Sequence, residues 1–173
     1  LDIGRIPLKS ADRGDEFPVI MAGGPCASNP EPLADYFDFF VLGEGEEIIL
    51  EIFGIMSRHR TKRGGKQEKK TLLQELAHVE GIYVPSFYEP VYDEKGVLKE
   101  IAVKEKTAAP RVVKRVLGDF DKAYFPIKPI VPYMEIIHDR IMLEVQRGCT
   151  RGCRFCQAGM IYRPVRERSQ EVL

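Results

Sequence analysis

The chain has 173 residues, and its 26 Lys plus Arg balance 26 Asp plus Glu, so the formal net charge is zero. That length can bury a core for one domain or two small ones, while the charge balance leaves no global field to recruit nucleic acid or an acidic membrane. No apolar run approaches the ~20 residues that span a bilayer, and Leu1-Asp2-Ile3-Gly4 lacks the basic-then-apolar layout of a signal peptide.

Four cysteines are present, three clustered and one, Cys26, alone. That distribution points to metal ligation in a reducing compartment rather than to a disulfide framework, and predicts a cytoplasmic protein. Both ends read as cut. Leu1 enters mid-element, and Ser169 to Leu173 reads as a first helical turn with Ser169 as N-cap, so a piece of a longer protein is expected.

In chain order, residues 17–22 form an apolar run closed by Gly23-Gly24-Pro25, the pattern of a buried parallel strand and a tight turn. Asn29 before Pro30-Glu31-Pro32 predicts a short capped helix through Tyr36. A second apolar run, Phe39 to Leu42, ends in Gly43-Glu44-Gly45-Glu46-Glu47. A helix is predicted from about Glu46 to Arg60, with Ile48, Ile49, Ile52, Phe53 and Met56 on its apolar face. Its acids lie at the start, and Arg58 and Arg60 at the end, as the macrodipole favours. Gly54 inside it costs ~1 kcal/mol relative to Ala.

Strand, glycine turn, helix, repeated, is the layout of a doubly wound sheet, in which ligands sit outside the carboxyl ends of the strands. Glycines at such ends let a ligand approach the backbone, beside the unpaired N–H groups of the next helix. Ordinary strand-to-helix turns account for the same pattern.

The basic stretch Thr61 to Lys70 lacks an aromatic for base stacking, which argues against nucleic acid and for a solvated linker. Thr71 and Gln74 form a capping box opening a short helix, with Leu72, Leu73, Leu76 and Ala77 on one face and Gly81 past its end. Phe87 to Val103 reads as a β-hairpin folded at Asp93-Glu94-Lys95-Gly96. Val112, Val113 and Val116 predict another strand. Pro126, Pro129 and Pro132 then give an extended, stiff connection, where a domain boundary is placed. Arg140 to Gln146 alternates, with Ile141, Leu143 and Val145 on one side, as a strand should.

That strand runs into Cys149-Thr150-Arg151-Gly152-Cys153-Arg154-Phe155-Cys156. Three thiolates this close can face one centre, and a soft thiolate set selects zinc or an iron–sulfur cluster. Three cysteines leave a four-iron cluster one protein ligand short. Arg147, Arg151 and Arg154 favour thiolates and offset the charge of a tri-thiolate site. Gly148 and Gly152 permit the irregular backbone that turns the sulfurs inward. Structural zinc remains a competing reading. It calls for a second ligand pair, and none is visible. His59, His78 and His138 lie apart, and Cys26 reads as a small buried hydrophobe.

The C-x3-C-x2-C spacing, with Phe155 just before the last cysteine, resembles the radical S-adenosylmethionine (radical SAM) superfamily. The resemblance implies a 4Fe-4S cluster held by Cys149, Cys153 and Cys156. It also implies SAM chelated on the open iron and the backbone around Phe155 against its adenine. One electron then splits SAM into methionine and a deoxyadenosyl radical. A one-electron donor such as flavodoxin or ferredoxin is implied as partner, with the substrate unread.

The segments Val19 to Pro25, Asn29 to Pro32 and Phe40 to Glu47 together resemble the end of the cobalamin-binding domain that precedes many radical SAM enzymes. This second resemblance implies cobalamin near Gly23, Gly24, Gly43, Glu44 and Gly45, and methyl transfer as one outcome. Methylthiotransferases share the cysteine loop, but their front domain brings three further cysteines where only Cys26 stands here.

The expected fold is α/β. Residues 1–62 are the C-terminal half of a Rossmann-like doubly wound sheet, 63–135 a connector with a helix and the hairpin, and 136–173 the first strand and cluster loop of an incomplete β/α barrel. In such barrels the active site lies at the carboxyl ends of the strands. The alternatives to a radical SAM enzyme of the cobalamin-containing type are a methylthiotransferase and a zinc-stabilised binding module.

Overall fold

Phe39, Phe40 and Val41 make up a fully buried central strand, as their unbroken apolar character predicts. In the computed structural model this strand, β2 (Phe39–Val41), lies between β1 (Met21–Ala22), parallel to it, and β3 (Ile82–Tyr83), antiparallel to it. The structure describes residues 1–61, 68–128, 130, 132–135, 137, 140 and 142–173. The chain divides into two units, Leu1–Val116 and Leu117–Leu173.

In the first unit, two helices follow the sheet strands, α1 (Gly45–Thr61) and α2 (Lys69–Leu76). The buried stripe of α1 is Ile48, Ile52 and Ile55, at the i, i+4, i+7 spacing of an ideal helix. The expected apolar face is therefore rotated. Phe53 is 59% exposed, and Ile55 takes its place in the core. Leu72 and Leu76 of α2 meet this stripe under Phe39 and Val84.

Helix α2 begins two residues before the expected capping box, at Lys69, so Lys69 and Lys70 are helical rather than linker. Residues 62–67 of the basic stretch lie outside the described residues. Thr71 donates its hydroxyl to the Glu68 carboxylate (3.1 Å) instead of capping the helix. Asp15, from far upstream, accepts the Lys69 N–H (3.0 Å), one of the orphan donors of the first turn. The helix expected after Asn29 is two short 3-10 turns, Pro25–Ser28 and Glu31–Leu33. Prolines at positions 25, 30 and 32 remove the N–H groups a longer helix would need.

The hairpin is as read from the sequence. Strands β4 (Tyr88–Tyr92) and β5 (Leu98–Val103) pair antiparallel, Gly96 adopts φ +75°, and the Asp93 carboxylate accepts the Lys95 and Val97 N–H groups. The strand expected at Val112 to Val116 is absent. Among the described residues the segment makes only a parallel bridge between Arg115 and Gly43. Arg115 donates its N–H to Leu42, its carbonyl accepts from Glu44, and its guanidinium meets Glu47 and Glu51.

A buried ion network ties the N-terminal segment to the sheet. Asp38 accepts from the Ile20 N–H (2.6 Å), from Arg13 (3.2 Å) and from the Ser10 hydroxyl, and pairs with Lys69 (2.6 Å). Arg13 also donates to the carbonyls of Pro7, Leu8 and Tyr36. Burial alone would raise the Asp38 carboxyl, but the Ile20 N–H, Lys69 and Ser10 outweigh it and hold it below the usual carboxylate range.

In the second unit, β6 (Gln146–Arg147) pairs antiparallel with β7 (Arg166–Glu167), and α3 (Ala158–Ile161) lies between them in sequence. The strand expected over Arg140 to Gln146 is thus reduced to its last residue and extended by Arg147. Residues 142–145 have no ladder, and Leu143 and Val145 are exposed. Alternation alone does not make a strand, because the backbone needs a paired neighbour. Here the neighbour, Arg166–Glu167, reaches only Gln146 and Arg147. Ile141 lies outside the described residues, as do His138 and Pro129, while Pro126 and Pro132 are irregular. Ser169 accepts from the N–H groups of Val172 and Leu173, closing the single turn expected there. Among the described residues no helix is long and apolar enough to cross a membrane. The fold is mixed α/β with small sheets.

Candidate metal centre

The cysteine loop leaves β6 through Gly148 and returns through α3 to β7. Gly148 sits at φ +96°, and a Cβ there would lie 2.6 Å from the Tyr162 carbonyl oxygen and 3.1 Å from that of Pro164. Only glycine fits both constraints. Gly159, on α3, plays the matching part. A Cβ on it would lie 2.6 Å from the Arg151 carbonyl oxygen and 3.7 Å from that of Cys149, so the loop backbone rests directly on the helix. The sequence reading gave this role to Gly152, which faces open space. Gly159 was legible only as a glycine inside a short helical stretch, where it is otherwise unfavourable.

All three thiols of the loop are free. Cys149 is partly buried, and Cys153 and Cys156 are exposed. The Arg151 N–H points at the Cys149 sulfur (3.4 Å), and the Cys156 N–H donates to the Cys153 carbonyl (3.1 Å). Among the described residues, no three His, Cys, Asp or Glu side chains are gathered closely enough to hold a metal ion. The loop therefore carries soft donors of the right chemistry in an open arrangement. A metal that takes thiolates draws such ligands together as it binds, since site formation and binding are coupled.

Phe155 is 91% exposed. Arg147, expected to serve the thiolates, instead forms a two-bonded pair with Glu144 (2.8 Å each) and stacks on the Phe120 ring at 4.9 Å. Arg151 and Arg154 are exposed. Cys26 is exposed, not buried; Ala27 takes the buried position beside Phe40 and Tyr83. Of the histidines, His59 meets Glu75 at 2.7 Å and His78 bonds the Gln74 carbonyl at 2.8 Å.

The glycine turns of the first unit divide into two kinds. Gly43, at φ +104°, packs so closely on Arg115 that a Cβ would overlap the Arg115 carbonyl oxygen. Its close approach is to the chain's own backbone. Gly24, at φ +90°, and Gly45 face open space, and Gly23 lies beside Val41. The Glu44 N–H is taken by Arg115.

One further feature escaped the sequence reading. A cleft of ≈ 1190 Å³ lies in the first unit, between the hairpin and the 3-10 turn at Glu31–Leu33. Tyr83 lies at its wall and donates its hydroxyl to Glu31. Burial, then Glu31, push the Tyr83 phenol well above its ordinary range.

Residues 1–85 match the family model described as radical SAM proteins, N-terminal. The match supports the radical SAM superfamily. The three clustered cysteines lie outside the matched residues, which take in Cys26, the three-stranded sheet, both glycine turns and both helices of the first unit. The chain is also similar to an uncharacterized protein of Methanocaldococcus jannaschii, MJ0966, with 28% identity over 169 residues. That alignment covers 96% of this chain and 29% of the relative, so the chain spans less than a third of the relative's length. No solved structure matches the chain.

Proposed function

We propose that the protein is a radical SAM iron–sulfur enzyme in which Cys149, Cys153 and Cys156 ligate a 4Fe-4S cluster through three of its irons. The observation that carries this reading is the cysteine loop itself. Three free thiols at C-x3-C-x2-C spacing sit on one segment whose two ends are pinned by a β ladder and two close-packed glycines. The match of residues 1–85 to radical SAM proteins supports it independently.

Such a cluster, when bound, supplies one electron for the reductive cleavage of SAM at the iron that no cysteine holds. The chain's own contribution is positional. Gly148 and Gly159 fix the path of the loop, and the backbone around Phe155, next to Cys156, would lie against the SAM adenine. An electron donor such as flavodoxin or ferredoxin fits this chemistry, and free thiols suit a reducing compartment such as the cytoplasm. Of the residues expected beside cobalamin, Gly43 packs on Arg115, whereas Gly24 and Gly45 face open space and leave room for a ligand.

Anaerobic reconstitution with iron and sulfide tests the proposal. Expected are about four irons per chain and a change in the EPR signal of the reduced cluster when SAM is added. One zinc and no iron would sink it, and would favour a zinc-stabilised module instead.

A further inference from the structure

Arg147 and Arg166 are direct partners across the β6–β7 ladder. Like charges opposite one another on paired strands destabilise the pairing, and a ladder of two residue pairs is marginal by itself. Yet this ladder is the neck that closes residues 148–165, the loop carrying all three clustered cysteines.

Phe120, from outside the loop, meets that conflict. Its buried ring receives the guanidinium of Arg147 at 4.9 Å and that of Arg166 at 5.7 Å. The Arg168 guanidinium lies over the same ring at 4.3 Å, and its Nη1 donates to the Phe120 carbonyl at 2.8 Å. Arg168 also continues the neck, donating its backbone N–H to the Val145 carbonyl at 2.9 Å. It is buried with its Nε lacking a hydrogen-bond partner, and two ring faces stabilise that charge, Phe120 at 4.3 Å and, farther off, Phe125 at 5.6 Å. Glu144 supplies a carboxylate to Arg147 and, at 3.9 Å, to Arg168.

We propose that Phe120 is a positioning residue for the cysteine loop: its ring, set against Arg147, Arg166 and Arg168, holds the neck closed and so determines how firmly the three cysteines retain a metal cluster. The second half of this inference rests on the ligand reading of the cysteines given above. Phe120 carries no metal donor, and its role in this inference runs through the neck.

The test compares the full chain with its Phe120→Leu, Phe120→Tyr and Phe120→Leu/Arg166→Gln variants in two measurements. The first is hydrogen exchange of the Arg147 and Arg168 amides without iron. The second is the rate at which reconstituted iron is lost to a chelator. Leucine fills much of the volume without a π face, so F120L should exchange and lose iron roughly tenfold faster, the scale of one to two lost cation–π contacts.

F120Y, which keeps the ring, should restore both rates. Arg166→Gln should partly rescue F120L by removing the like-charge partner, an effect that simple core packing would not produce. If F120L fails to fold, Phe120→Met takes its place. Wild-type rates in F120L overturn the proposal, and so does equal loss in F120Y. A wild-type chain that takes up no iron refutes the ligand reading and the retention claim with it. The exchange measurement still decides whether Phe120 closes the neck.

Discussion

Arg13 and Asp38 form an ion pair at 3.2 Å in which neither side chain reaches solvent. The pair joins residues far apart in sequence and holds the N-terminal segment against the entry to the central strand. Its cost in desolvation is offset only because nearly every polar atom is satisfied: Asp38 by four groups, and Arg13 by three further carbonyls. Removing Arg13 leaves Asp38 buried with Lys69 as its remaining cation and strips the carbonyls of Pro7, Leu8 and Tyr36 of their donor. Arg13→Met should therefore destabilise the chain by about 3–5 kcal/mol, read as a drop in urea midpoint at unchanged slope. A loss under about 1 kcal/mol, the range of a surface pair, would mean that the pair is solvated in solution.

The same network sets a pH dependence. Asp38 has a folded pKa below its unfolded value of about 3.9. The unfolded chain therefore binds the proton first as pH falls, and the folded state loses stability in that direction. The contribution is complete above about pH 4 and disappears as pH drops through the lower folded value. Asp38→Asn removes this dependence. Its stability should vary less than wild type between pH 5 and pH 2, in urea titrations across that window, whatever its absolute value. Parallel acid limbs for the two proteins would show that other carboxylates govern acid unfolding.

Gly43 and Gly45 stand two residues apart in one glycine turn and predict opposite outcomes. Gly43 combines φ +104° with backbone contact to Arg115, whereas Gly45 opens α1 into free space. Gly43→Ala should cost at least ~1–3 kcal/mol in backbone strain alone, and more from displacing the Arg115 segment. Gly45→Ala should be neutral or gain up to ~1 kcal/mol through reduced unfolded-state entropy. Thermal melts of both variants separate a structural Gly43 from one kept open for a ligand. In the second case Gly43→Ala would leave the melting temperature unmoved.

These glycines also show what the sequence could and could not disclose. The apolar run at Phe39–Val41, the helix α1 with Ile48 and Ile52 buried, and the Asp93–Gly96 hairpin were legible because their periodicity or turn chemistry is local, although the rest of the α1 face is rotated from Phe53 to Ile55. The cysteine loop stood out because its spacing is itself a chemical signal, and its ligand role is the proposal made above. What stayed hidden depends on partners distant in sequence. Asp38 reads as an ordinary acid between apolar residues until Arg13 and Lys69 arrive. Phe120 reads as a lone aromatic until three arginines close on it. The strand expected over 140–146 failed for the complementary reason: alternation marks two faces, but a strand exists only where a neighbour pairs with it.

The thiols should be unequal in their tolerance of change. Cys149 is partly buried and receives the Arg151 N–H, while Cys153 and Cys156 are exposed. If all three are ligands, single Cys→Ser replacements at each should abolish most iron retention after anaerobic reconstitution, since a hard hydroxyl replaces a soft thiolate. The apo chain should barely register Cys153→Ser or Cys156→Ser, with melting shifts within those of about ±0.5 kcal/mol typical of surface positions. Cys26→Ser should leave iron content unchanged. Iron loss from Cys26→Ser equal to that from Cys153→Ser would bring Cys26 into the ligand set and reopen the zinc reading.

Gly148 and Gly159 give a prediction that separates the loop's path from its donors. Neither carries a donor, yet each lets the loop backbone approach within a distance that a Cβ would forbid. For Gly148 the left-handed φ adds strain that alanine cannot relieve. Gly148→Ala and Gly159→Ala should therefore push the loop off Tyr162 and off α3, while leaving every thiol chemically intact. Gly152→Ala, with nothing within 4 Å of its added Cβ, is the matched control. Iron retained per chain after desalting should fall at least several-fold in the first two and stay near wild type in the third. Far-UV circular dichroism should barely change in any of them, since α3 contributes only four helical residues. Equal iron retention in all three variants would show that the cysteines organise a metal without help from the loop's packing, and would remove the argument that Gly148 and Gly159 guide the loop for binding.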